Sequence, residues 1–275
     1  MPDTATRLTI REAVAGASGG LSEAGCETPR LDAELLLAHV LGVGRSRLML
    51  EAEAQLEPTE GERFAALVAR RAKREPVAYI LGRREFRRIT VAVDRRVLVP
   101  RPETELLVEV GLSLPSGARV LDLGTGSGAI ALALKDERPD LEVWGSDVSQ
   151  EALNVAQANA DRLGLEVRWL QSDLLDAVPG HFYAVLANPP YVAEGAYLAP
   201  EITRYEPAGA LFAGSDGLDV IRGLVAQATM APLLALEVGF DQAPAVSGLL
   251  RDNGFSGVEV LRDLSGHERV VVGRR

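Results

Sequence analysis

Short apolar runs alternate with helical stretches over the second half of the chain, from Ala118 onward. Strands that alternate with helices form a parallel sheet with helices on both of its faces. The last two runs lack a full helix between them, so we expect them to pair antiparallel at the sheet edge. The runs lie at 120–123, 143–145, 167–170, 184–187, 233–238, 258–261 and 270–272, with helices predicted at 129–134 and 151–163 among others.

The first 76 residues have a helical pattern instead. Residues 29–41 carry leucines at helical spacing, with Thr28 suited to the N-cap and Gly42 to the helix end. A second helix is expected after Thr59, which forms a capping-box pattern with Glu62. Together these stretches predict a small helical bundle.

Residues 82–98 hold β-branched side chains in partial alternation, with a polar break at Asp94-Arg95, and this pattern predicts a hairpin. The chain therefore divides into three parts. We expect a helical domain at 1–80 that recognises the substrate, a β-hairpin linker at 81–100 and an α/β catalytic domain at 101–275.

Net charge, cysteine count and histidine spacing limit which partners and metal sites the chain can have. The formal net charge of -10 argues against a broad electrostatic grip on nucleic-acid phosphates. Cys26 is the only cysteine, which excludes an internal disulfide and a cysteine zinc cluster. The three histidines show no metal-ligand spacing, so we assign no metal.

The distribution of apolar residues indicates a cytoplasmic protein. The start of the chain lacks the apolar core of a signal peptide. No apolar run reaches the roughly 18 residues of a membrane span, so we expect no membrane association.

A glycine-rich turn follows the first apolar run of the α/β part, at Gly124, Thr125, Gly126, Ser127 and Gly128. Glycines let the backbone turn tightly and approach a ligand closely. A phosphate-binding P-loop would need a lysine followed by serine or threonine at the helix start, and that pair is absent. A dinucleotide site would usually show G-x-G-x-x-G rather than G-x-G-x-G. The third interpretation is S-adenosylmethionine, whose amino-acid end would lie by the turn.

Two aspartates follow the next two runs. Asp147 ends the second, about 20 residues beyond the turn, where a carboxylate suits a ribose diol. Asp173 follows the third and can accept from an adenine amino group, while Leu174 can cover the ring. Each aspartate alone also suits a helix N-cap, but their successive positions at strand ends favour ligand binding.

The tetrad Asn188-Pro189-Pro190-Tyr191 follows the fourth run. Alone, it would favour a rigid loop. At this position, however, the Asn188 side-chain oxygen and the Pro189 carbonyl can each accept one N–H of a substrate amide. That arrangement fixes the nitrogen and aims its lone pair at a methyl donor, and Tyr191 can pack on the amide plane.

Over nearly its whole length the chain resembles the HemK-type release factor glutamine N5-methyltransferases. The resemblance rests on E-P-V-A-Y-I-L-G at 75–82, Phe86, V-P-R-P-E-T-E at 99–105, the glycine turn, the tetrad, 206–207 with 210–211, 214–218, and R-D-L-S-G-H-E-R at 262–269. It implies a class I S-adenosylmethionine-dependent methyltransferase fold. That fold has a Rossmann-like, mostly parallel seven-stranded sheet, a small helical N-terminal domain and a β-hairpin linker.

The resemblance also implies the reaction. A methyl group would pass from S-adenosylmethionine, leaving S-adenosylhomocysteine, to the glutamine of the Gly-Gly-Gln motif of class I peptide chain release factors. Donor contacts carry over to the glycine turn, Asp147, Leu174 and Asn188, and substrate contacts to the four residues of the tetrad. Leu174 departs from relatives that have an aromatic residue there, so it would cover adenine without ring stacking.

Two alternatives remain open at this point. A sister family with a similar tetrad methylates a glutamine of a ribosomal protein, but the P-R-P-E-T-E run favours the release-factor family. That run also suits a helix start, with Pro102 in the first turn and Glu103 and Glu105 complementing the dipole. The second alternative is a nucleic-acid adenine N6-methyltransferase, which the negative charge disfavours.

Overall fold

The computed structural model describes residues 8–229 and 231–275. The chain divides into two compact units, each built from two segments of the sequence. The first comprises Met1–Gly82 and Ala199–Tyr205, and the second comprises Arg83–Leu198 and Glu206–Arg275. Within the described ranges, no helix has both the length and the apolar character needed to cross a membrane.

Within the described residues, the first unit is built from helices joined by short turns. Leu21, Leu36 and Leu37 are fully buried in its core, where they pack with Phe64. The helices are α1 (Ile10–Glu23), α2 (Pro29–Leu41), α3 (Arg45–Leu50), α4 (Pro58–Ala72), α5 (Val77–Leu81) and, from the second segment, α9 (Pro200–Tyr205).

The predicted bounds of α2 are confirmed, but its predicted cap is only partly right. Gly42 ends the helix in the left-handed conformation that glycine adopts without strain. Thr28 does occupy the N-cap position, yet its side chain caps no backbone N–H. Its hydroxyl donates instead to Asp32 Oδ1 at 2.8 Å, because that carboxylate is a stronger acceptor one turn away.

The capping box predicted for Thr59 and Glu62 is wrong. Helix α4 begins two residues earlier than predicted, at Pro58, and its capping box joins Glu57 to Glu60. The Glu57 amide donates to Glu60 Oε2 at 2.9 Å. Pro58 explains the shift, since proline fits the first helical position and so leaves Thr59 inside the first turn.

A buried ion-pair network holds α9 within the first unit. The Arg71 guanidinium, 5% exposed, donates to Asp32 Oδ2 at 2.7 Å and to Glu201 Oε1 at 2.9 Å. Arg74 donates to both oxygens of Glu201, at 2.8 and 2.6 Å. Truncating Arg71 would leave the buried Asp32 carboxylate without its arginine partner, a change that typically costs about 3–5 kcal/mol for a buried pair.

The predicted hairpin is present at the start of the second unit. Strands β1 (Arg83–Phe86) and β2 (Ile89–Ala92) pair antiparallel, with Phe86 opposite Ile89. At the turn, Arg87 adopts a left-handed conformation, and its guanidinium binds Glu137 and Glu109. Both strands lie within the predicted segment 82–98, and residues 93–98 of that segment form no strand.

A seven-stranded sheet forms the core of the second unit, in the order β5-β4-β3-β6-β7-β9-β8. All neighbours are parallel except β9, which runs antiparallel to β7 and to β8. The antiparallel pairing predicted for the last two runs is therefore confirmed. The strands are β3 (Arg119–Leu123), β4 (Glu142–Asp147), β5 (Arg168–Gln171), β6 (Ala184–Ala187), β7 (Leu233–Glu237), β8 (Gly257–Arg262) and β9 (Glu268–Arg274).

The helices of the second unit cover this sheet. A 3₁₀ turn at Pro102–Thr104 leads directly into the first of them, so the predicted helix start at Pro102 holds. The helices are α6 (Glu105–Leu112), α7 (Ala129–Glu137), α8 (Gln150–Leu163), α10 (Asp219–Gln227) and α11 (Ala243–Asp252). Because β3 to β7 are parallel, their carboxyl ends lie along one edge, where ligands of such sheets bind.

Candidate active site at the carboxyl ends of the strands

The glycine turn joins β3 to α7. The three glycines of the turn all have positive φ, at 70° for Gly124, 55° for Gly126 and 82° for Gly128. Residues that carry a Cβ rarely adopt such angles. The Thr125 amide donates to the Ser146 carbonyl of β4 at 2.9 Å. A Cβ at Gly126 would meet no atom within 4 Å, whereas one at Gly128 would crowd the Trp169 ring at 3.1 Å. The turn is thus closely packed at Gly128 and leaves open space beside Gly126.

A buried carboxylate that the sequence analysis missed supports this turn. Asp122 of β3 is 1% exposed, and its Oδ2 accepts from Thr125 Oγ1 at 2.5 Å and from the Ala131 amide at 3.1 Å. Burial raises the pKa of Asp122 to about 7, although these two hydrogen bonds oppose the rise. The sequence could have indicated this role, because Asp122 is an acidic residue in the apolar run 120–123.

Asp147 lies at the end of β4 and is half-buried. Its Oδ2 accepts from the Gly126 amide and its Oδ1 from the Ser149 amide, both at 2.9 Å. Burial raises its pKa, and the backbone hydrogen bonds oppose that rise. Ser149, not Asp147, caps α8 through the Ala152 amide, so Asp147 is not that helix's cap.

Asp173 and Leu174 lie just beyond β5. Asp173 is exposed, and no helix begins there for it to cap. Leu174 packs against the core of the second unit and has φ 46°. A left-handed conformation is uncommon for leucine, so the surrounding packing holds this residue in place.

Asn159 links the hairpin to the glycine turn, and the sequence did not single it out. This fully buried α8 side chain donates to the Ser127 carbonyl at 2.9 Å and to the Ala92 carbonyl at 3.0 Å. Its Oδ1 accepts from the Ala92 amide at 2.7 Å. One amide therefore fixes β2, α8 and the glycine turn together.

The tetrad leaves the sheet at the end of β6. Pro189 is buried, while Asn188 and Pro190 are partly exposed. The Asn188 Nδ2 donates to Thr104 Oγ1 at 3.2 Å, and no described residue donates to its Oδ1. A Cβ at Gly124 would lie 4.0 Å from the Asn188 carbonyl oxygen, which brings the tetrad and the glycine turn together.

Tyr191 is held at both its hydroxyl and its carbonyl. The hydroxyl donates to Glu237 Oε1 at 3.2 Å, and the carbonyl accepts from Gln242 Nε2 at 3.0 Å. A Cβ at Gly217 would lie only 2.2 Å from that carbonyl oxygen, so only glycine fits there. This contact gives a physical reason for the glycine in segment 214–218.

Glu237 ends β7 beside the tetrad and is 1% exposed. Burial raises its pKa to about 7, and the hydrogen bond from Tyr191 opposes the rise. Burial and the Glu237 carboxylate together raise the pKa of the Tyr191 hydroxyl. The sequence analysis missed Glu237 and assigned Thr104 no role of its own.

Arg101 connects the P-R-P-E-T-E run to the loop after the tetrad. Its Nη2 lies 2.5 Å from Glu206 Oε1, and Glu206 Oε2 accepts from the Val99 amide at 3.2 Å. Glu206 is 7% exposed, so this ion pair holds the two segments together at low solvent exposure.

Two family models match the chain. The model described as the PrmC N-terminal domain matches residues 12–82, and the one described as the methyltransferase small domain matches residues 102–204. A solved methyltransferase structure from Pyrococcus furiosus shares the fold, with a TM-score of 0.52 at 17% identity, over 67% of this chain and 87% of that one.

Curated relatives match nearly the whole chain. The release factor glutamine methyltransferase of Rhodospirillum rubrum is 46% identical over 265 residues, or 93% of this chain and 82% of that protein. The protein of the same name from Deinococcus radiodurans is 40% identical over 277 residues, or 98% and 99%. At this identity and coverage, the chain belongs to the family of release factor glutamine methyltransferases.

Proposed function

We propose that this chain transfers a methyl group from S-adenosylmethionine to the side-chain amide nitrogen, N5, of a glutamine in class I peptide chain release factors. The glutamine is that of the Gly-Gly-Gln motif. The observation that carries the proposal is the orientation of Asn188. Its NH2 is tied to Thr104, while no described residue donates to its oxygen, which is left free to accept from a substrate amide.

The features at the carboxyl edge fit the proposed donor. The space above Gly126 admits the amino-acid part of a ligand, and each Asp147 oxygen keeps a lone pair for a ribose hydroxyl. Asp173 and Leu174 supply an acceptor and an apolar surface for adenine. Asp122, Asp147 and Glu237 lie at this edge, and their acidic character suits a cationic donor. When bound, the donor supplies an electrophilic methyl group.

Asn188 and Pro189 would act on the substrate nitrogen. An amide nitrogen is a poor nucleophile because its lone pair is delocalised into the carbonyl. Two acceptors, Asn188 Oδ1 and the Pro189 carbonyl, would hold both N–H groups and direct the lone pair toward the donor, while Pro190 and Tyr191 shape the pocket around the amide. Such orientation can contribute about 7–11 kcal/mol in favourable cases. The nitrogen becomes acidic as it gains the methyl, so no strong base is required beforehand.

The substrate assignment rests on family membership and on charge. The curated relatives carry the release factor in their names, and a net charge of -10 disfavours a nucleic-acid substrate. We further propose that the helical domain at 1–80 recognises the protein substrate, because the residues proposed for the donor all belong to the second unit. The hairpin at 81–100 would link it to the catalytic domain at 101–275.

A substrate panel with radiolabelled donor tests the proposal. Purified full-length chain is incubated with a class I release factor, a total set of ribosomal proteins, or duplex and single-stranded DNA. Label is expected only in the release factor. Label in a ribosomal protein or in DNA, with none in the release factor, would replace the proposal with the corresponding alternative. Calorimetry with the donor alone separates loss of donor binding from a wrong substrate.

A further inference from the structure

A solvent-exposed groove lies between α1 and α4 of the first unit. The two helices pack against each other, and the groove along them has a volume of about 440 Å³. Buried Leu56 and Phe64 line it with the partly buried Val68 and with Leu8, which is 55% exposed. An apolar groove between helices is a surface into which another protein can place apolar side chains. We call it the α1–α4 groove.

Two glycines leave open space in this groove. Gly16 of α1 and Gly61 of α4 both line it, and a Cβ at either position would meet no described atom within 4 Å. Close packing within the first unit therefore requires neither glycine. Because glycine inside a helix is less favourable than alanine, folding alone would favour a side chain at both positions. The space that they leave is available to an occupant from outside the unit.

The charged residues that line the α1–α4 groove are both acidic. Glu12 lies in the first turn of α1 and Glu57 is the N-cap of α4, and both are exposed. Both take part in capping boxes, but a carboxylate has about four acceptor positions and can bind a cation as well. An occupant with an apolar side chain next to a lysine or arginine would therefore complement the groove.

Two occupants from this chain itself fit less well. A second copy would bring a further net charge of -10 to an acidic surface. The first seven residues, M-P-D-T-A-T-R, contain one large apolar side chain, that of Met1. A separate protein with apolar and basic residues side by side is the better match in both charge and apolar content.

We propose that the α1–α4 groove binds an apolar side chain of the release factor, with an adjacent basic side chain of the release factor held by Glu12 and Glu57. The inference rests on the proposed function and assigns substrate recognition to one surface of the helical domain. All residues that line the groove belong to the first unit, so it contains none of those proposed for the donor.

Gly61→Leu and Gly19→Leu form a matched pair that tests the proposal. Leucine at 61 fills the groove, whereas Gly19 lies in α1 outside the groove and also has no described atom within 4 Å of its Cβ position. We expect the KM for release factor to rise on the order of 10- to 100-fold in Gly61→Leu and to stay at the wild-type value in Gly19→Leu. The kcat and the donor Kd should be unchanged in both, and neither substitution should lower the midpoint of thermal unfolding. Wild-type KM in Gly61→Leu, or an equal rise in both variants, would overturn the proposal.

Glu12→Gln tests the charge separately, because glutamine at this position keeps the capping box. Its KM for release factor should rise roughly 2- to 5-fold, as expected for one exposed ion pair, and should depend less on salt than the wild-type KM. An unchanged KM with unchanged salt dependence would overturn the proposed basic contact.

Sedimentation and thermal unfolding of the same variants distinguish the other occupants. A wild-type dimer that Gly61→Leu makes monomeric would assign the groove to a second copy and overturn the proposal. A lower unfolding midpoint in Gly61→Leu with unchanged KM would assign the groove to the chain's own first residues and overturn it equally. A wild-type chain that methylates no release factor would refute the proposed function and this occupant with it, whereas failure of the groove alone leaves wild-type methylation intact.

Discussion

At the scale of single residues, Asn188 joins the tetrad to two other parts of the site. Its carbonyl lies by the glycine turn, its NH2 is bound to Thr104, and its side-chain oxygen is open. The side chain is partly exposed, so replacing it should remove little core packing. Its contribution should therefore appear in turnover and not in stability.

Asn188→Ala is expected to reduce kcat on the order of 100-fold, because the substrate amide loses one of two acceptors and can rotate. Asn188→Asp keeps an acceptor but lacks the NH2 that Thr104 binds, and it adds a charge that favours the cationic donor over its neutral product. Its turnover should also fall while donor binding survives. Single-turnover kinetics and donor calorimetry check both variants, and wild-type turnover in the alanine variant would show the tetrad to be only a rigid loop.

Asp147 and Asp173 provide a second comparison at this scale. Asp147→Ala should weaken donor binding by about 1.5–3 kcal/mol, since hydrogen bonds to a charged group are lost. Asp173 is exposed, so Asp173→Ala should cost about 0.5–1.5 kcal/mol. Titration calorimetry measures both values. An unchanged Kd for Asp147→Ala would remove it from the donor site.

At the scale of elements, α8 joins the hairpin to the glycine turn through Asn159. Asn159→Ala would leave the Ala92 amide and the Ala92 and Ser127 carbonyls without this partner, at about 1–3 kcal/mol for a buried group left unpaired. The free energy of unfolding and the donor affinity should both fall. Asn154→Ala is the control, because Asn154 is exposed on α8 and its side-chain oxygen accepts from Gln150. Equal effects of the two variants on denaturant unfolding would contradict this role.

The same element level shows what local sequence can and cannot predict. Apolar runs predicted the strands of the sheet because buried parallel strands are mostly apolar, as in β6 and in β7 up to its final residue, Glu237. The capping box of α4 was misplaced because Glu57 caps the helix and Pro58 occupies its first position, which leaves Thr59 inside the helix. Thr104 and Glu237 were missed because their roles come from partners 84 and 46 residues away, which no local pattern encodes.

At the scale of the whole molecule, two buried carboxyls contribute to the dependence of stability on pH. Burial raises the pKa of Asp122 and of Glu237 to about 7, from ordinary values of 3.8 and 4.5. A raised folded-state pKa stabilises the fold fully below the unfolded value, and this stabilisation is lost as pH rises through about 7. Asp94 and Asp140 have lowered pKa values, so their contributions are lost as pH falls below the ordinary range for aspartate.

Thermal unfolding without donor should therefore show greatest stability at about pH 4–5 and a decline as pH rises to about 7. The Asp122→Asn/Glu237→Gln double variant should flatten that decline, because neither amide titrates. A wild-type stability that rises steadily from pH 5 to pH 8 would show that these carboxyls are ionised without penalty, contrary to their burial.

The account as a whole depends on where the methyl group is placed. The direct measurement is mass spectrometry of proteolytic peptides from a release factor incubated with the full-length chain and S-adenosylmethionine. One added methyl group is expected on the glutamine of the Gly-Gly-Gln motif, on its side-chain nitrogen, and it should be absent with the Asn188→Ala variant. A methyl group on any other residue, or none on that glutamine, would contradict the account.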